Sequence, residues 1–205
     1  MTTDGGPPVT VVLVEGASDR AALHVLAAGR GTDLVARRVH VVATGGATNT
    51  ARFVRRFGRC GVRPDGTPRV RVTGLVDAAE ERYARGALER AGHEVGPGRE
   101  ALAGMGFHVC DPDLEHELVA ALGLDRGERV LAAHGDLARF RTLQNQPAQR
   151  GRDPVAQLCR WVGAGSGRKL RYATAFARAL GPGEVPGPLV ALLDDVSRRA
   201  VTPTR

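Results

Sequence analysis

Short apolar runs alternate with amphipathic stretches through the first half of the chain. Val9–Val14 is a nearly continuous apolar run, the pattern of a strand buried on both faces of a parallel sheet. Gly16 then permits a turn, and Ser18 is the expected N-cap of a helix over 19–28. A second strand is predicted over Val39–Ala43, closed by Gly45-Gly46, with a helix over 48–58 behind it. Residues 59–68, rich in glycine and proline, read as a loop. Val70–Val76 forms a third strand ending at Asp77, followed by a charged helix over 79–91. The glycine-rich stretch 92–104 reads as another loop, and Phe107–Cys110 as a short fourth strand.

Beyond Asp111 the period changes. Leu114, Leu118, Val119 and Leu122 have helical spacing, and further short helices are predicted over 126–133, 154–162, 168–180 and 189–197. Four strand–helix units followed by helices predict an α/β fold, a mostly parallel four-stranded sheet flanked by helices with a C-terminal helical extension. The expected division is 9–124 for the sheet domain and 125–199 for the extension.

Composition narrows the function. The 205 residues contain no apolar run long enough to span a membrane and no secretory signal at the start, which reads as a cytoplasmic protein. Cys60, Cys110 and Cys159 lie far apart, without disulfide or zinc spacing. The net charge of +7 favours a polyanionic partner, nucleic acid first. All but one of the 29 basic residues are arginine; Lys169 is the exception. A single surviving lysine marks a place where arginine's broad fork does not serve.

The candidate chemistry lies at the strand ends. Glu15 follows the first strand, Asp77 the third and Asp111 the fourth. Asp19, Asp113, Glu115 and Glu117 lie close by in sequence. In a parallel sheet these acids converge on the carboxyl edge, where ligands bind. Clustered carboxylates repel unless cations hold them, and Mg²⁺ or Mn²⁺ are the matching hard ions. Arg52, Arg55, Arg56 and Arg59 share one helix face and suit phosphate contacts, while Phe53 and Phe57 point toward the core. Arg168 and Arg171 beside Lys169 are further nucleic-acid candidates. The six histidines show no metal-binding spacing, and no nucleophilic triad is recognisable.

The run Val14-Glu15-Gly16-Ala17-Ser18-Asp19 resembles the VEGxxD opening of TOPRIM domains. With GLVDAAEE around Asp77, DLEHEL from Asp113 and GRKLRYA around Lys169, the chain looks most like the TOPRIM domain of the OLD family (overcoming lysogenisation defect). The resemblance implies a Rossmann-like TOPRIM fold and a DNA-nicking or DNA-cleaving endonuclease that hydrolyses phosphodiesters with two metal ions. It makes Glu15, Asp19, Asp77, Asp113 and Glu115 metal ligands. Glu15, Asp77 and Lys169 become the catalytic set, with Lys169 neutralising phosphate charge. The usual DxD second motif is absent: Asp77 is followed by Ala78-Ala79-Glu80-Glu81, so either Glu80 or Glu81 stands in, or one metal is held more weakly. No GxxxxGK[ST] phosphate loop occurs, so a stand-alone TOPRIM unit is expected, with any ATP control from a separate ATPase polypeptide. Two alternatives remain open: a TOPRIM nuclease acting on structured RNA, and a binding module without catalysis.

Overall fold

In a computed structural model, the structure describes residues 9–58, 69–164 and 167–198. Four strands, β1 (Val9–Val14), β2 (Val39–Ala43), β3 (Val70–Asp77) and β4 (Phe107–Cys110), form one sheet in the order β2-β1-β3-β4. Every pairing is parallel: Val14 lies opposite Ala43, Leu13 opposite Gly74, and Asp77 opposite Cys110. The sheet therefore has a single carboxyl edge, where Glu15 directly follows β1 and Asp77 ends β3.

Helices cover both faces. On β1, Val12 and Val14 enter one apolar cluster while Val11 and Leu13 enter the other, which explains the unbroken apolar run. The second cluster is closed by α2 (Thr50–Gly58), α3 (Glu81–Arg90) and α4 (Gly98–Gly104). The first is closed by α1 (Ala17–Gly29), α5 (Leu114–Leu122), α6 (Leu124–Ala133), α7 (Leu137–Gln144), α8 (Pro154–Gly163), α9 (Arg168–Ala179) and α10 (Gly187–Arg198). Trp161, Tyr172, Phe140 and Phe176, all from the helical half, are at most 2% exposed in the cluster that also holds Val12 and Val14. The late helices thus share the sheet's core. The C-terminal α10 is tied back by Asp195, which meets both Arg71 on β3 and His108 on β4 at 3.3 Å.

Two local expectations need correction, and one helix was not predicted. The first helix begins at Ala17 with Gly16 as its N-cap, so Ser18 lies inside the first turn instead of capping it. Asp19 does the work from within, accepting the Gly16 N–H at 2.7 Å. The expected loop 92–104 contains α4, whose glycines stand at its ends and whose Leu102 is fully buried. Helix α7 escaped the sequence reading because Phe140 is the one buried residue along it. The expected loop 59–68 lies outside the described residues.

Gly74 marks the tightest point of the sheet. A Cβ there would lie 2.7 Å from the Phe107 ring and 2.9 Å from the Leu13 carbonyl oxygen, neither of which has room to yield. Gly74→Ala is accordingly expected to destabilise the fold by about 1–3 kcal/mol, the usual cost of overpacking, as read by urea denaturation.

Candidate metal and nucleic-acid site

Glu15 leaves β1 where that strand's last carbonyls are still engaged: Thr44 donates to Val14 O at 2.8 Å and Gly45 to Glu15 O at 3.0 Å. Beside it, Asp77 ends β3. Its Oδ1 accepts the backbone N–H of Leu114 at 3.3 Å, tying the third strand to the start of α5. Asp113 caps α5 through the His116 N–H at 2.8 Å, and Glu115 follows in the first turn. Asp19 occupies the corresponding place in α1. Two helix N-termini, with their partial positive charge, thus face the carboxyl edge of the sheet and offset part of the acids' mutual repulsion.

The electrostatics bring Asp19, Asp77, Asp113, Glu115 and Lys169 into one group. Burial raises the Asp77 carboxyl to about 7, reinforced by the charges of Asp19, Asp113 and Glu115 and opposed by Lys169. Glu115, only 5% exposed, is likewise raised, first by burial and then by Asp19 and Asp113. Its Oε2 meets the Lys169 ammonium at 3.2 Å. Its Oε1 is buried with no hydrogen-bond partner. Burial alone would lower the lysine, but Glu115, Asp19 and Asp77 outweigh it and hold the ammonium above its ordinary value.

The structure separates the two acids that follow Asp77. Glu80 lines a narrow crevice with Glu15, Thr44 and Thr50, and its carboxyl comes within hydrogen-bonding reach of Glu15. Its pKa is raised, first by burial and then by the Glu15 charge. Glu81 turns the other way, to Arg85 at 3.4 Å and Arg99 at 3.1 Å. Arg99 also binds Asp111 at 2.6 Å, which leaves that strand-end acid in a surface ion-pair chain. Glu117 accepts the Asp111 N–H at 3.2 Å.

Among the described residues no three carboxylates, imidazoles or thiols are already drawn together as a chelate. The donor set still fits a hard cation: an orphaned buried oxygen on Glu115 and several mutually repelling carboxyls, with Asp19, Asp77 and Asp113 each oriented by a backbone N–H. Cys110 and Cys159 offer no thiolate. Burial pushes the Cys110 thiol well up and the Cys159 thiol to about 12.

The candidate arginines divide into two groups. Arg52, Arg55 and Arg56 are exposed on α2, whose Thr50 lines the crevice holding Glu15 and Glu80. Phe53 and Phe57 stack at 6.2 Å and pack partly buried against the core beneath them. Arg59 lies outside the described residues. Arg168 and Arg171 are engaged within the fold. Arg168 donates to the Trp161 carbonyl at 2.8 Å. Arg171 meets the buried Asp136 at 3.4 Å, where the Tyr172 hydroxyl also donates at 2.8 Å. The Trp161–Arg168 contact escaped the sequence reading because it depends on how α8 and α9 pack.

Comparison with known proteins agrees with this layout. Residues 9–64 match the family model for the TOPRIM domain of overcoming lysogenization defect protein-like proteins. Over these residues the chain is similar to an OLD-like TOPRIM domain. No curated protein matches the sequence significantly. Among solved structures, the C-terminal region of the Xanthomonas campestris pv. campestris OLD protein, phased with mercury, is 22% identical with a TM-score of 0.66. That match covers 93% of this chain and 95% of the other. The C-terminal region of the Burkholderia pseudomallei OLD protein is 19% identical, with a TM-score of 0.66 over 95% of this chain and 99% of that one. At these identities the OLD structures establish the fold. The TOPRIM domain is of the type found in TOPRIM-family nucleases, and no helix among the described residues is long and apolar enough to cross a membrane.

The raised Asp77 carboxyl makes a stability prediction for metal-free protein. Because its folded-state value of about 7 lies above the ordinary 3.8, its neutral form favours folding at low pH. That contribution is lost as pH rises through about 7. Asp77→Asn, which stays neutral, should therefore be more stable than the native protein at and above pH 7 in EDTA, with the difference shrinking toward pH 4. Urea denaturation across that range checks it.

Proposed function

We propose that this OLD-like TOPRIM protein is a Mg²⁺- or Mn²⁺-dependent endonuclease that nicks or cleaves DNA. The observation that carries the reading is Glu115. A carboxylate buried to this depth, with one oxygen on the chain's sole lysine and the other without a partner, sits among further acids whose charges oppose one another. A pair of hard cations answers that arrangement.

In this reading Glu15, Asp19, Asp77, Asp113 and Glu115 hold the ions, and Glu80 supplies the carboxylate that the missing DxD aspartate would have given. When bound, the metal ions supply Lewis-acid stabilisation of the phosphodiester and an activated water. The chain's own residues do the rest. The amides of Gly16, Leu114 and His116 each fix one oxygen of Asp19, Asp77 and Asp113, so these acids present defined faces to the site. Lys169 brings an ammonium to the charge that builds on the phosphate in the transition state. Arg52, Arg55 and Arg56 contact the DNA backbone from α2 without reading sequence.

Residues 9–124 form the TOPRIM unit, and 125–199 the helical extension that delivers Lys169. The setting is cytoplasmic, and a separate ATPase polypeptide is the proposed partner for any nucleotide control. Structured RNA is the competing substrate.

Incubation of supercoiled plasmid with Mg²⁺, Mn²⁺ or EDTA tests the proposal. Metal-dependent nicking or linearisation is expected, with Glu15→Ala and Lys169→Ala each slowing it by about 100-fold or more. Glu80→Gln should slow it at limiting Mn²⁺ and recover with added metal, whereas Glu81→Gln should change little. Absence of cleavage under every condition would overturn the nuclease reading. Preferential cleavage of structured RNA would transfer it to that substrate.

A further inference from the structure

We propose that Arg168 is a positioning residue that holds Lys169 over the carboxylate cluster, acting through Trp161 and not through nucleic acid. The proposal rests on the role given to Lys169 above.

Helix α9 starts in an unusual way. Its N-cap, Gly167, has a left-handed φ of 71°, no side chain caps the helix, and no acid lies in its first turn. Its first two residues are instead Arg168 and Lys169, two cations at the end where the helix dipole opposes positive charge. Such a start needs compensation from elsewhere in the fold, and each cation has its own partner. Lys169 reaches Glu115 on α5 at 3.2 Å. Arg168 reaches back to Trp161 on α8 in two ways. Its Nη1 donates to the Trp161 carbonyl oxygen at 2.8 Å, and its guanidinium carbon lies 4.2 Å from the centre of the indole ring.

Both contacts are favourable for definite reasons. The Trp161 carbonyl lies in the last turn of α8, where helix geometry leaves carbonyls without an i+4 amide and the dipole favours a cation. The indole face attracts the guanidinium directly, and only arginine offers a flat group that stacks while a fork nitrogen donates. Trp161 is itself immobilised: 2% exposed, with Tyr172 packed edge-on at 5.1 Å and Phe140 at 6.0 Å. Arg168 therefore joins the unfavourable start of α9 to a fixed platform at the favourable end of α8. Helices α8 and α9 both pack against α5, the helix that carries Glu115. A shift in the first residue of α9 is passed straight to the next one, which is Lys169.

The composition provides a direct probe. Because Lys169 is the sole lysine, protein labelled only in lysine gives one side-chain NMR signal. In the metal-free native protein that signal is expected away from the free-lysine position and broadened by restricted motion, and Glu115→Gln should move it. Arg168→Gln should move it toward free lysine and sharpen it. Arg178→Gln, at the far end of α9, should leave it in place. If melting shows that Arg168→Gln does not fold, Arg168→Met, which keeps an apolar cover on the indole and loses the carbonyl bond, takes its place.

In the plasmid assay Arg168→Lys preserves the charge but not the flat fork. It should lower the rate at saturating DNA by about 10- to 100-fold, the scale of a small misplacement in a catalytic site, with the half-saturating DNA concentration changing less than about twofold. An unmoved lysine signal in Arg168→Gln would overturn the proposal. So would full activity in Arg168→Lys, or a raised half-saturating DNA concentration at an unchanged rate, which marks a direct phosphate contact. If the native protein cuts nothing, the nuclease reading fails and the NMR comparison alone decides for or against Arg168.

Discussion

Repulsion between carboxylates at the carboxyl edge of the sheet is the constraint on which the rest of the site depends. Parallel pairing of β1 with β3 sets it up, because Glu15, directly after β1, and Asp77, at the end of β3, come to the same edge. Helices α1 and α5 then bring Asp19, Asp113 and Glu115 to the same edge. The fold answers with the positive ends of those two helices, with backbone amides on three of the acids, and with one ammonium. These devices do not discharge the cluster. Asp77, Glu80 and Glu115 all remain raised, and one oxygen of Glu115 has no partner. Such an arrangement is costly without a cation, which is the physical basis for proposing that it holds one.

The helical half of the chain is inseparable from that centre. Its aromatic residues fill the same core that backs β1 and α1, and α9 alone delivers Lys169. The opposite face, with α2, α3 and α4, carries the exposed Arg52, Arg55 and Arg56 and the Glu80 turn. One side of the sheet therefore contributes the counter-charge within the site, and the other offers a basic surface alongside it. In a chain of net charge +7, the acids of the candidate site thus sit at one edge with a basic helix beside them.

Much of this was readable from residue order. Strand β1 announced itself because a strand covered on both faces cannot alternate, and the strand-end acids followed from parallel topology. Asp113 was legible as an acid near that edge, whereas its role as the cap of α5 appears only in the structure. Other features depend on geometry that pattern does not carry. Helix α7 is eight residues long and fully buries only Phe140, with Leu137 and Leu143 half-buried beside it, so its stripe is short, and α4 hides between two glycines. Glu80 and Glu81 are equivalent in sequence; only the phase of the short 3-10 turn at 78–80 sends one to Glu15 and the other to Arg85 and Arg99. Arg168 stood out in sequence only as a basic neighbour of Lys169; its partner, Trp161, lies seven residues back across a helix junction that pattern does not reveal.

The most direct test of the central claim is to count the bound ions by titrating the native protein with Mn²⁺ and following the loss of the free-ion electron paramagnetic resonance signal. The account predicts that two ions are taken up per chain, and that Glu15→Gln and Glu115→Gln each weaken or abolish that uptake. A free-ion signal undiminished by the native protein up to millimolar Mn²⁺ would contradict it, leaving the carboxylate cluster without the cations that it is proposed to hold.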